Sequence, residues 1–599
     1  MVIAMKGLMQ LKKPVDEASY IVFTDGSKYY AKNGLTGLIE YSDTDASNVI
    51  QYAIDKLRGV GGVVMLKKGL YTVYKAIRLY SNITLAGEGF STIIRRGNVF
   101  ESTLTQPASS GQNTIVVNDA SGFRAGQQVF IGTKSSSSSH WEVNRIASVE
   151  GNRITLVQPL QNDYSAGESV YTAYHVIEAF SEENIMIRDL SIDGNKANNY
   201  YYTIYDTATT AKAYDDYLGI RPSAFLVQNG IHLSGCRGCL VSGVKVFDNV
   251  GWGGIAVISS SNVTVKNCIT EYGYRHGILV AFNSENVVVS NCISRSNGKP
   301  DETFPRHNII FEYVRRCVLA DSIAVNAPGN NFYAYDAQDI LLIGNIFAYA
   351  GLNIYLASSG YADHRITIIG NILIGQANQM FNILLYDYVS NVLIEGNSMY
   401  HTYELGIHVS VHANTEKAWI IGNRMVGGRI GVYTYTTKGW VYVANNIFDS
   451  LRGNDTNPSY AISALKVNNI IAKNNIVYGN NTTHYAVRIG TDASNVTVED
   501  NVFTELKVKP LLIEGGTNIV IRRNKGYLTE NSGVATIPAG STRVTVSHGL
   551  ASTPTKFQIT PLGQPAGKLW VENITSTSFD IVTDTAPASN LNVSWYAEV

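Results

Sequence analysis

The sequence has few cysteines, little charge and no long apolar run. Its five cysteines lie within 236–317, and the CxxC at 236–239 lacks a second pair at matching spacing, so a zinc knuckle is not indicated. No window approaches the ~18 consecutive apolar residues of a membrane span. The first twenty residues lack the apolar core of about 7–15 residues that a signal peptide requires. We therefore expect no structural zinc, no membrane segment and no signal peptide in this chain.

The charge is small and balanced. Lys plus Arg number 47 against 48 Asp plus Glu among 599 residues, which gives a net charge of -1. This balance argues against a nucleic-acid partner, because neutralising phosphates needs a basic surplus. Hydrophobic residues make up 45% of the chain, which is ample for a core and excludes disorder. The 37 tyrosines offer flat apolar faces with polar rims, which suit sugar rings and β surfaces alike.

A short unit recurs along the middle of the chain. Its pattern, apolar–x–apolar–x–x–Asn–x–apolar, reads ITIIGNIL at 366–373, VLIEGNSM at 392–399 and VTVEDNVF at 496–503. Another strand follows some residues later, as in GIAVIS, GILVAF and GIHVSV. Two or three short strands per ~25 residues, with no helical segment between them, are typical of one turn of a parallel β-helix.

The sixth position of this unit forms a column. Turns of a β-helix stack ~4.8 Å apart, so side chains at one turn position should form a ladder. Stacked asparagines can hydrogen-bond each other and the backbone of the bend. Cys268 and Cys292 share the column, and we expect buried thiols there, with a disulfide as the alternative. The column comprises Val244, Cys268, Cys292, Ser322, Asn345, Asn371, Asn397, Asn423, Asn446, Asn475, Asn501 and Asn524.

The segment 43–73 predicts a cap for the coil. It begins with Asp/Ser turn chemistry, continues with apolar residues at helical spacing, stops at glycine and enters a strand. The first repeat, NITLAGEGFSTII at 82–94, follows. This opening closely resembles that of the pectate-lyase-like right-handed parallel β-helix superfamily, and the resemblance covers roughly residues 20–530. The superfamily includes polysaccharide lyases, polygalacturonase-like hydrolases, epimerases and viral tailspikes, so the resemblance implies the fold and leaves the chemistry open.

Two segments depart from the repeat and alternate with period 2, which predicts antiparallel strands. The all-β chain is thus expected to consist of an N-terminal segment (1–42), an N-terminal capping helix and first turn (43–100), a small inserted β domain (101–173), a catalytic right-handed parallel β-helix (174–530) and a C-terminal antiparallel β-sandwich (531–599). The last region resembles the sandwiches that end some viral fibres and tailspikes. It serves as a carbohydrate-binding module, a trimerisation element or a cap.

Long turn loops locate the candidate cleft, because function on a β-helix lies on an outward face and the interior is core. The longest excursions are 194–229 and 295–306. Both leave neighbouring turns, which places the cleft over residues 230–360. Substrate contacts are expected there from Trp252, Glu271 and Asn353 and from the loop acids Asp301 and Glu302.

Two Arg–His pairs occupy one turn position. Arg275–His276 precedes a Gly-Ile, and Arg306–His307 precedes an Asn-Ile one turn later. The pairs should therefore lie ~5 Å apart. Polygalacturonase-like members of the superfamily carry acids at this position, in NTDGI and GDDCI motifs, and a histidine in GHGI. This sequence has histidines and no Asp-Asp pair there, which argues against the polygalacturonase mechanism.

An outward face continues along the same strands, and its tyrosines suit a chain of stacked sugar rings. An ordinary cross-strand tyrosine ladder is the alternative. The outward positions are Glu312, Tyr333, Tyr335, Tyr355, Tyr386, His408, Tyr433 and Tyr435, with Asp336 and Asp387 at strand ends.

The favoured function is a β-eliminating lyase, or a related epimerase, acting on a polysaccharide that contains uronic acid. Elimination needs a cation at the C5 carboxylate, a base for the C5 proton and an acid for the leaving oxygen. Arg275 or Arg306 would bind the carboxylate, and a histidine kept neutral by the arginines would be the base. Tyr333 or Tyr335 would be the acid.

Two other functions remain open. Glu312 and Asp336 fall on consecutive turns, ~5–7 Å apart, near the separation used by retaining glycoside hydrolases. A viral tailspike or fibre that binds glycan, with or without depolymerase activity, fits the inserted domain and the C-terminal region. The alternative to a catalytic role for the Arg–His pairs is that they are solvated turn residues, or that Arg295 and Glu271 form one surface ion-pair ladder.

The sequence indicates no cofactor and no metal site, and it leaves open whether Ca²⁺ helps to bind a carboxylate. The expected partner is a polysaccharide, with neither nucleic acid nor membrane, and a homotrimer is one arrangement that the C-terminal region would serve. We expect an extracellular or virion-associated protein. The low cysteine and methionine counts point weakly to heat tolerance.

Overall fold

The structure is a computed structural model that describes residues 18–132, 141–199, 212–213, 228–298, 306–360, 364–376, 379–412, 414–435 and 437–599. The strands form a right-handed parallel β-solenoid of about 16 turns, as the repeat predicts. The chain divides into two compact units, residues 1–354 and 355–599.

Each regular turn of the first unit contains up to three strands. The first and second strands belong to one parallel sheet, and the third strand belongs to another. The first and second strands are Gly62–Leu66, Gly69–Val73, Ile83–Ala86, Thr92–Arg96, Met186–Asp193, Leu240–Phe247, Thr264–Lys266, Ile269–Glu271, Val288–Ser290, Ile293–Arg295, Arg315–Ala320, Ile323–Val325, Gln338–Ile343 and Ile346–Ala348. The third strands are Ile77–Arg78, Ile177–Phe180, Ile231–Ser234, Gly253–Ile258, His276–Ala281, Ile309–Glu312 and Asn330–Tyr335.

The N-terminal end of the coil is closed by one α-helix, Ala46–Lys56. Asp45 caps it by accepting a hydrogen bond of 2.9 Å from the backbone N–H of Ser47, which satisfies one of the free donors of the first turn. The helix buries Val49, Ile50, Ala53 and Ile54, so its apolar face covers the open end of the coil. A preceding antiparallel ribbon comprises Tyr20–Thr24, Tyr29–Asn33 and Ile39–Asp43.

The segment 101–173 forms an antiparallel sheet between early turns, as its period-2 alternation predicts. Its core contains Phe123, Ile131, Ile154 and Tyr164, all buried. Its strands are Glu101–Thr103, Thr114–Val116, Gln128–Gly132, Trp141–Glu150, Arg153–Leu156 and Ser169–Thr172, and Lys212–Ala213 pairs with Trp141–Glu150. A short 3-10 helix, Lys196–Asn198, follows strand Met186–Asp193.

The second unit repeats the same turn, and the strand Leu352–Ala357 contains the division between the units. Its first and second strands are Ile366–Ile369, Ile372–Gly375, Val392–Glu395, Ser398–His401, Lys417–Ile421, Arg424–Gly427, Thr437–Ala444, Ile447–Asp449, Val467–Lys473, Ile476–Tyr478, Ser494–Glu499, Val502–Thr504 and Thr517–Arg522. Its third strands are Phe381–Tyr386, Ile407–Val411, Ile430–Thr434, Tyr460–Ala464, Tyr485–Ile489 and Leu511–Ile513.

Two three-stranded antiparallel sheets end the second unit. They share a core that includes Ile537, Val546, Phe579, Val593 and Trp595, which makes this region a β-sandwich. Their strands are Glu530–Ile537, Leu591–Glu598 and Lys556–Pro561 in one sheet and Arg543–Ser547, Ser578–Thr583 and Leu569–Glu572 in the other.

The asparagine column of the second unit forms a continuous file from 371 to 524. At each step the Nδ2 of one asparagine donates to the Oδ1 of the next over 2.9–3.0 Å. The same Nδ2 of Asn423 also donates to the carbonyl of Ile394, so the file satisfies backbone groups that the bend buries. All five cysteines are buried free thiols. No helix within the described ranges is long and apolar enough to cross a membrane.

Candidate active site

The third strands of the first unit bring the two histidines together. Ile278 pairs with Ile309 in the parallel register, and each histidine lies two residues earlier. His276 is the first residue of its strand. His307 lies two residues before the corresponding strand of the next turn, which begins at Ile309. Adjacent turns therefore place the two rings at one position of the sheet.

The rings of His276 and His307 stack with their centroids 5.2 Å apart and an interplanar angle of 11°. The Nδ1 of His276 accepts a hydrogen bond from the backbone N–H of His307, and the Nδ1 of His307 accepts one from Asn330, each over 3.2 Å. A backbone N–H always donates, so each neutral ring carries its proton on Nε2. In this state the rings donate hydrogen bonds and have no free lone pair.

Burial sets the charge of both histidines. Desolvation, followed by the nearby His307 and Arg275, lowers the pKa of His276 well below its usual value. Desolvation, with a contribution from Arg275, lowers the pKa of His307 to about 3. The two rings are neutral near pH 7, as the sequence predicts for histidines beside arginines.

Two arginines flank the histidines. The guanidinium carbon of Arg275 lies 3.7 Å from the ring centroid of Trp252, a cation–π contact. Trp252 also meets His276 edge-on at 5.8 Å between centroids. Arg306 is buried, and its Nη1 donates to the carbonyl of Tyr274 over 2.7 Å. Both cationic groups are thus oriented by contacts within the same turns.

An aromatic series continues outward from the histidines. Tyr333 stacks on His307 at 4.7 Å, and Tyr335 lies 6.3 Å from Tyr333. Tyr313 meets Tyr335 edge-on at 5.4 Å and stacks on Phe282 at 6.3 Å. Trp252, Tyr333 and Phe282 also pack against a buried apolar cluster that includes Leu279 and Ile310. The first unit therefore holds a file of stacked rings next to two arginines, and this file reaches the surface at its tyrosine end.

Two carboxylates lie at the outer end of this series. Glu312 pairs with Tyr335 in the strand register, and Asp336 follows Tyr335 directly. Both are half-buried. Desolvation raises the pKa of Tyr313 to about 12, with further contributions from Tyr335, Glu312 and Asp336. The two carboxylates therefore act on one phenol. The sequence interpretation correctly puts these acids on consecutive turns.

Glu271 is a buried carboxylate on the other sheet that pairs with two partly exposed cations. Its Oε1 lies 2.7 Å from Nζ of Lys245, and its Oε2 lies 2.6 Å from Nη2 of Arg295. Only 5% of its side chain is exposed. These cations lower its pKa below the usual value against the opposing effect of burial. The geometry thus favours the ion-pair alternative for Glu271 and Arg295 over a substrate contact.

Two predicted substrate residues point into the protein. Asn353 is fully buried, and its Oδ1 accepts from Asn331 over 2.9 Å as part of a second asparagine file in the first unit. His408 is fully buried as well, with its Nε2 2.9 Å from the carbonyl of Gly427. Their outward placement was wrong, because polar groups inside these bends need internal partners. Asp301 and Glu302 lie outside the described residues.

The second unit has its own outward aromatic group. Tyr355 meets Tyr386 edge-on at 6.1 Å between centroids. His412 lies 5.9 Å from Tyr386 and 6.0 Å from Tyr433, and Tyr433 stacks with Tyr435 at 6.2 Å. The alternation of the third strands predicts these four tyrosines correctly as a group.

The sequence interpretation missed a second histidine stack. His175 and His232 lie 4.1 Å apart at 6°, and both are buried. Glu178, which pairs with His232 in the strand register, is buried and forms an ion pair of 3.0 Å with Arg145. His175 stands two residues before Ile177, the same spacing as His276 before Ile278, so the repeat would have found His175. His232 instead follows its aligned Ile231, and the repeat gives no signal for it.

Metal ligands are not grouped in this region. In the part of the chain that the structure describes, no three His, Cys, Asp or Glu side chains are arranged to hold a metal ion.

The family model described as "Periplasmic copper-binding protein (NosD)" matches residues 147–300. No curated protein matches the chain significantly. The chain has the fold of the pectate-lyase-like right-handed parallel β-helix superfamily.

The chain is similar to solved viral tailspikes. A mutant tailspike protein of E. coli bacteriophage HK620 in complex with pentasaccharide is 13% identical, with 92% of this chain and 90% of that chain covered and a TM-score of 0.54. The unmutated HK620 tailspike with pentasaccharide is 12% identical, with the same coverages and a TM-score of 0.53. The tailspike gp49 of Pseudomonas phage LKA1 is 15% identical over 92% of each chain, with a TM-score of 0.37.

Proposed function

We propose that this protein binds a polysaccharide on the outward face of the third strands and cleaves it there. The observation that carries the proposal is an aromatic series that begins at the buried His276 and His307 and reaches half-buried and exposed tyrosines at its outer end. Those tyrosines are Tyr333, Tyr335 and Tyr313, and Arg275 lies at the inner end on Trp252. Sugar rings stack on aromatic faces, and arginine binds carboxylates in a two-pronged geometry. The HK620 tailspike, which shares the fold, was solved with a bound pentasaccharide.

The first candidate reaction is β-elimination on a polysaccharide that contains uronic acid. Arg275 and Arg306 neutralise the C5 carboxylate, which makes the C5 proton more acidic. The Nε2–H groups of His276 and His307 donate to the enolate oxygens as they develop. Because both Nδ1 atoms are already occupied, the rings are better donors than bases, which revises the expected general-base role.

Proton transfer then falls to the tyrosines. Tyr333 acts as the base: it passes its phenolic proton to solvent and takes the C5 proton, while Tyr335 protonates the oxygen that leaves C4. The electron pair of the C5–H bond forms the C4–C5 double bond as the C4–O bond breaks. An epimerase would use the same proton removal and return a proton to the opposite face of C5 without breaking the C4–O bond.

The second candidate reaction is hydrolysis by Glu312 and Asp336. It is favoured by the strand register, which pairs Glu312 with Tyr335 and so places Asp336, the next residue, one turn away from Glu312. One carboxyl group would protonate the glycosidic oxygen, and the other would attack the sugar or activate a water.

The experiment is to incubate the full chain with acidic and neutral polysaccharides and to analyse the products by mass spectrometry. A lyase yields products with an unsaturated uronate that absorbs at about 235 nm, whereas a hydrolase yields reducing ends without this absorbance. Binding without either product would overturn cleavage and leave a glycan-binding fibre. No binding and no product across the panel would overturn the whole proposal.

A polysaccharide-cleaving tailspike would act outside cells or on a virion, and we propose that location for this protein. Homotrimer formation is part of the same proposal. Light scattering of the full chain tests it, since a monomer in solution would contradict it.

A further inference from the structure

A cavity of about 400 Å³ lies in the first unit beside the inserted β domain. This volume is within the range of about 300–1,000 Å³ that small-molecule sites occupy. The described residues that line it include no aspartate or glutamate. Among them are Tyr74, Arg95, Arg96, Phe100, Arg124 and Tyr174. The cavity therefore combines three cationic side chains with three aromatic rings.

Arg96 is fully buried. Its Nη1 donates to the carbonyl of Tyr174 over 2.7 Å, its Nε donates to Asn199 over 3.1 Å, and its guanidinium lies 4.4 Å from the ring centroid of Tyr174. Its Nη2 is buried without a hydrogen-bond partner, and Arg96 forms no ion pair with the described carboxylates. An unpaired buried charge is costly, so an anion in the cavity would supply the missing partner.

The other two arginines border the same space. Arg95 pairs with Asp193 at 2.7 Å, and Arg124 has a looser pair with Asp45 at 3.8 Å. Arg124 lies 4.3 Å from the centroid of Tyr74. Three guanidinium groups against two carboxylates leave one positive charge in excess.

We propose that this cavity binds a sugar ring that carries an anionic group, with the anion at Arg96 and Arg124 and the ring against the aromatic wall. Carboxylate and sulfate both match the arginine fork. The aromatic faces distinguish an anionic sugar from a free anion, because only the sugar has a ring to stack. This site is separate from the cleavage face and does not depend on it.

The test is calorimetric titration of the full chain with D-glucuronate, D-glucose and acetate. We expect glucuronate to bind measurably and both other compounds to bind at least about tenfold more weakly, the value of one hydrogen bond to a charged group. Arg124→Gln should weaken glucuronate binding by a similar factor. Because Arg96→Gln removes a buried group and risks misfolding, the half-exposed Arg124 is the primary variant.

Two controls identify the site. Arg316→Gln removes a surface arginine that also pairs with a carboxylate, Glu285, and should leave binding unchanged. Trp252→Leu alters only the cleavage face, so the part of the glucuronate binding that Arg124→Gln weakens should remain in this variant. Loss of glucuronate binding in Trp252→Leu but not in Arg124→Gln would overturn the proposal. Acetate binding as tightly as glucuronate would overturn the assignment to a sugar.

Discussion

The backbone N–H of His307 donates to Nδ1 of His276 over 3.2 Å, so the main chain of one turn fixes the tautomer of a ring in the turn before it. Asn330 does the same for His307. The position of the ring proton thus depends on the stacking of the turns. Protonating either ring in the folded state would require this backbone hydrogen bond to break.

Stability should fall in mild acid because of these rings. The pKa of His307 is lowered from 6.5 to about 3 in the folded protein, so below about pH 6.5 the unfolded chain takes up a proton that the folded chain does not. The free energy of unfolding should drop by roughly 1.4 kcal/mol per pH unit for this one ring. Urea unfolding of the wild type and His307→Gln at about pH 7 and about pH 5 measures it. Equal pH slopes in both proteins would contradict the prediction.

Tyr333→Phe should lower the turnover number by about 10²–10⁴-fold, since it removes the group that transfers the proton and keeps the ring that stacks on His307. Steady-state kinetics on the substrate found by the product analysis provides the measurement. Tyr478→Phe, at an exposed tyrosine of the second unit, is the matched control and should keep wild-type turnover. If Tyr333→Phe remains active while Glu312→Gln or Asp336→Asn is inactive, the reaction is the two-carboxylate hydrolysis.

Trp252→Leu should raise KM for an acidic polysaccharide and change kcat less. The substitution removes the cation–π contact with Arg275, which is worth about 0.5–2 kcal/mol, or roughly a 2- to 30-fold change in affinity. Trp440→Leu, at an exposed tryptophan of the second unit, is the control for loss of an indole. An unchanged KM in Trp252→Leu would remove Arg275 from the binding site.

Glu271→Gln should destabilise the protein by about 1–3 kcal/mol, because two cations lose their buried carboxylate partner. Thermal and urea unfolding measure the loss. Glu285→Gln, which removes an exposed pair with Arg316, should cost less than about 1 kcal/mol. A raised KM with unchanged stability would instead make Glu271 a substrate residue.

Asn423→Ala should cost about 2–4 kcal/mol. It removes the acceptor for the backbone N–H of Asn397, which is left buried without a partner, and it removes a donor to the carbonyl of Ile394. Asn469→Ala is the matched control, because Asn469 accepts from Asn495 in an exposed asparagine pair and water can replace that bond. Equal losses of stability in the two variants would show that burial does not set the value of the ladder.

Most of the fold could be predicted from the sequence repeat. Every turn must place apolar residues inside and a small or amide side chain at the bend, and this requirement leaves a regular pattern in the sequence. The same period put His276 above His307 and Glu312 beside Tyr335. The repeat gave a wrong prediction for Asn353 and His408, because strand alternation assigns them to the outward face and both side chains are buried inside the coil. At the bend before each third strand the backbone turns, so a side chain near it can enter the coil to satisfy main-chain groups.

The cavity beside the inserted domain had no sequence signal, since Tyr74, Arg96 and Arg124 come from separate segments. Only the folded arrangement brings them to one space. The proton positions on the histidines were equally out of reach, because they depend on backbone donors one turn away.

The asparagine file makes the spacing between successive turns independent of the length of the loops. Successive ladder asparagines of the second unit keep the same 2.9–3.0 Å link, although their residue numbers differ by 23 to 29. An insertion or deletion in a turn loop therefore leaves the stacking distance unaltered. The loops of one turn can therefore be exchanged without disturbing the interior columns, so under the proposed function the loops around a bound glycan could change while the stacked turns stay in place.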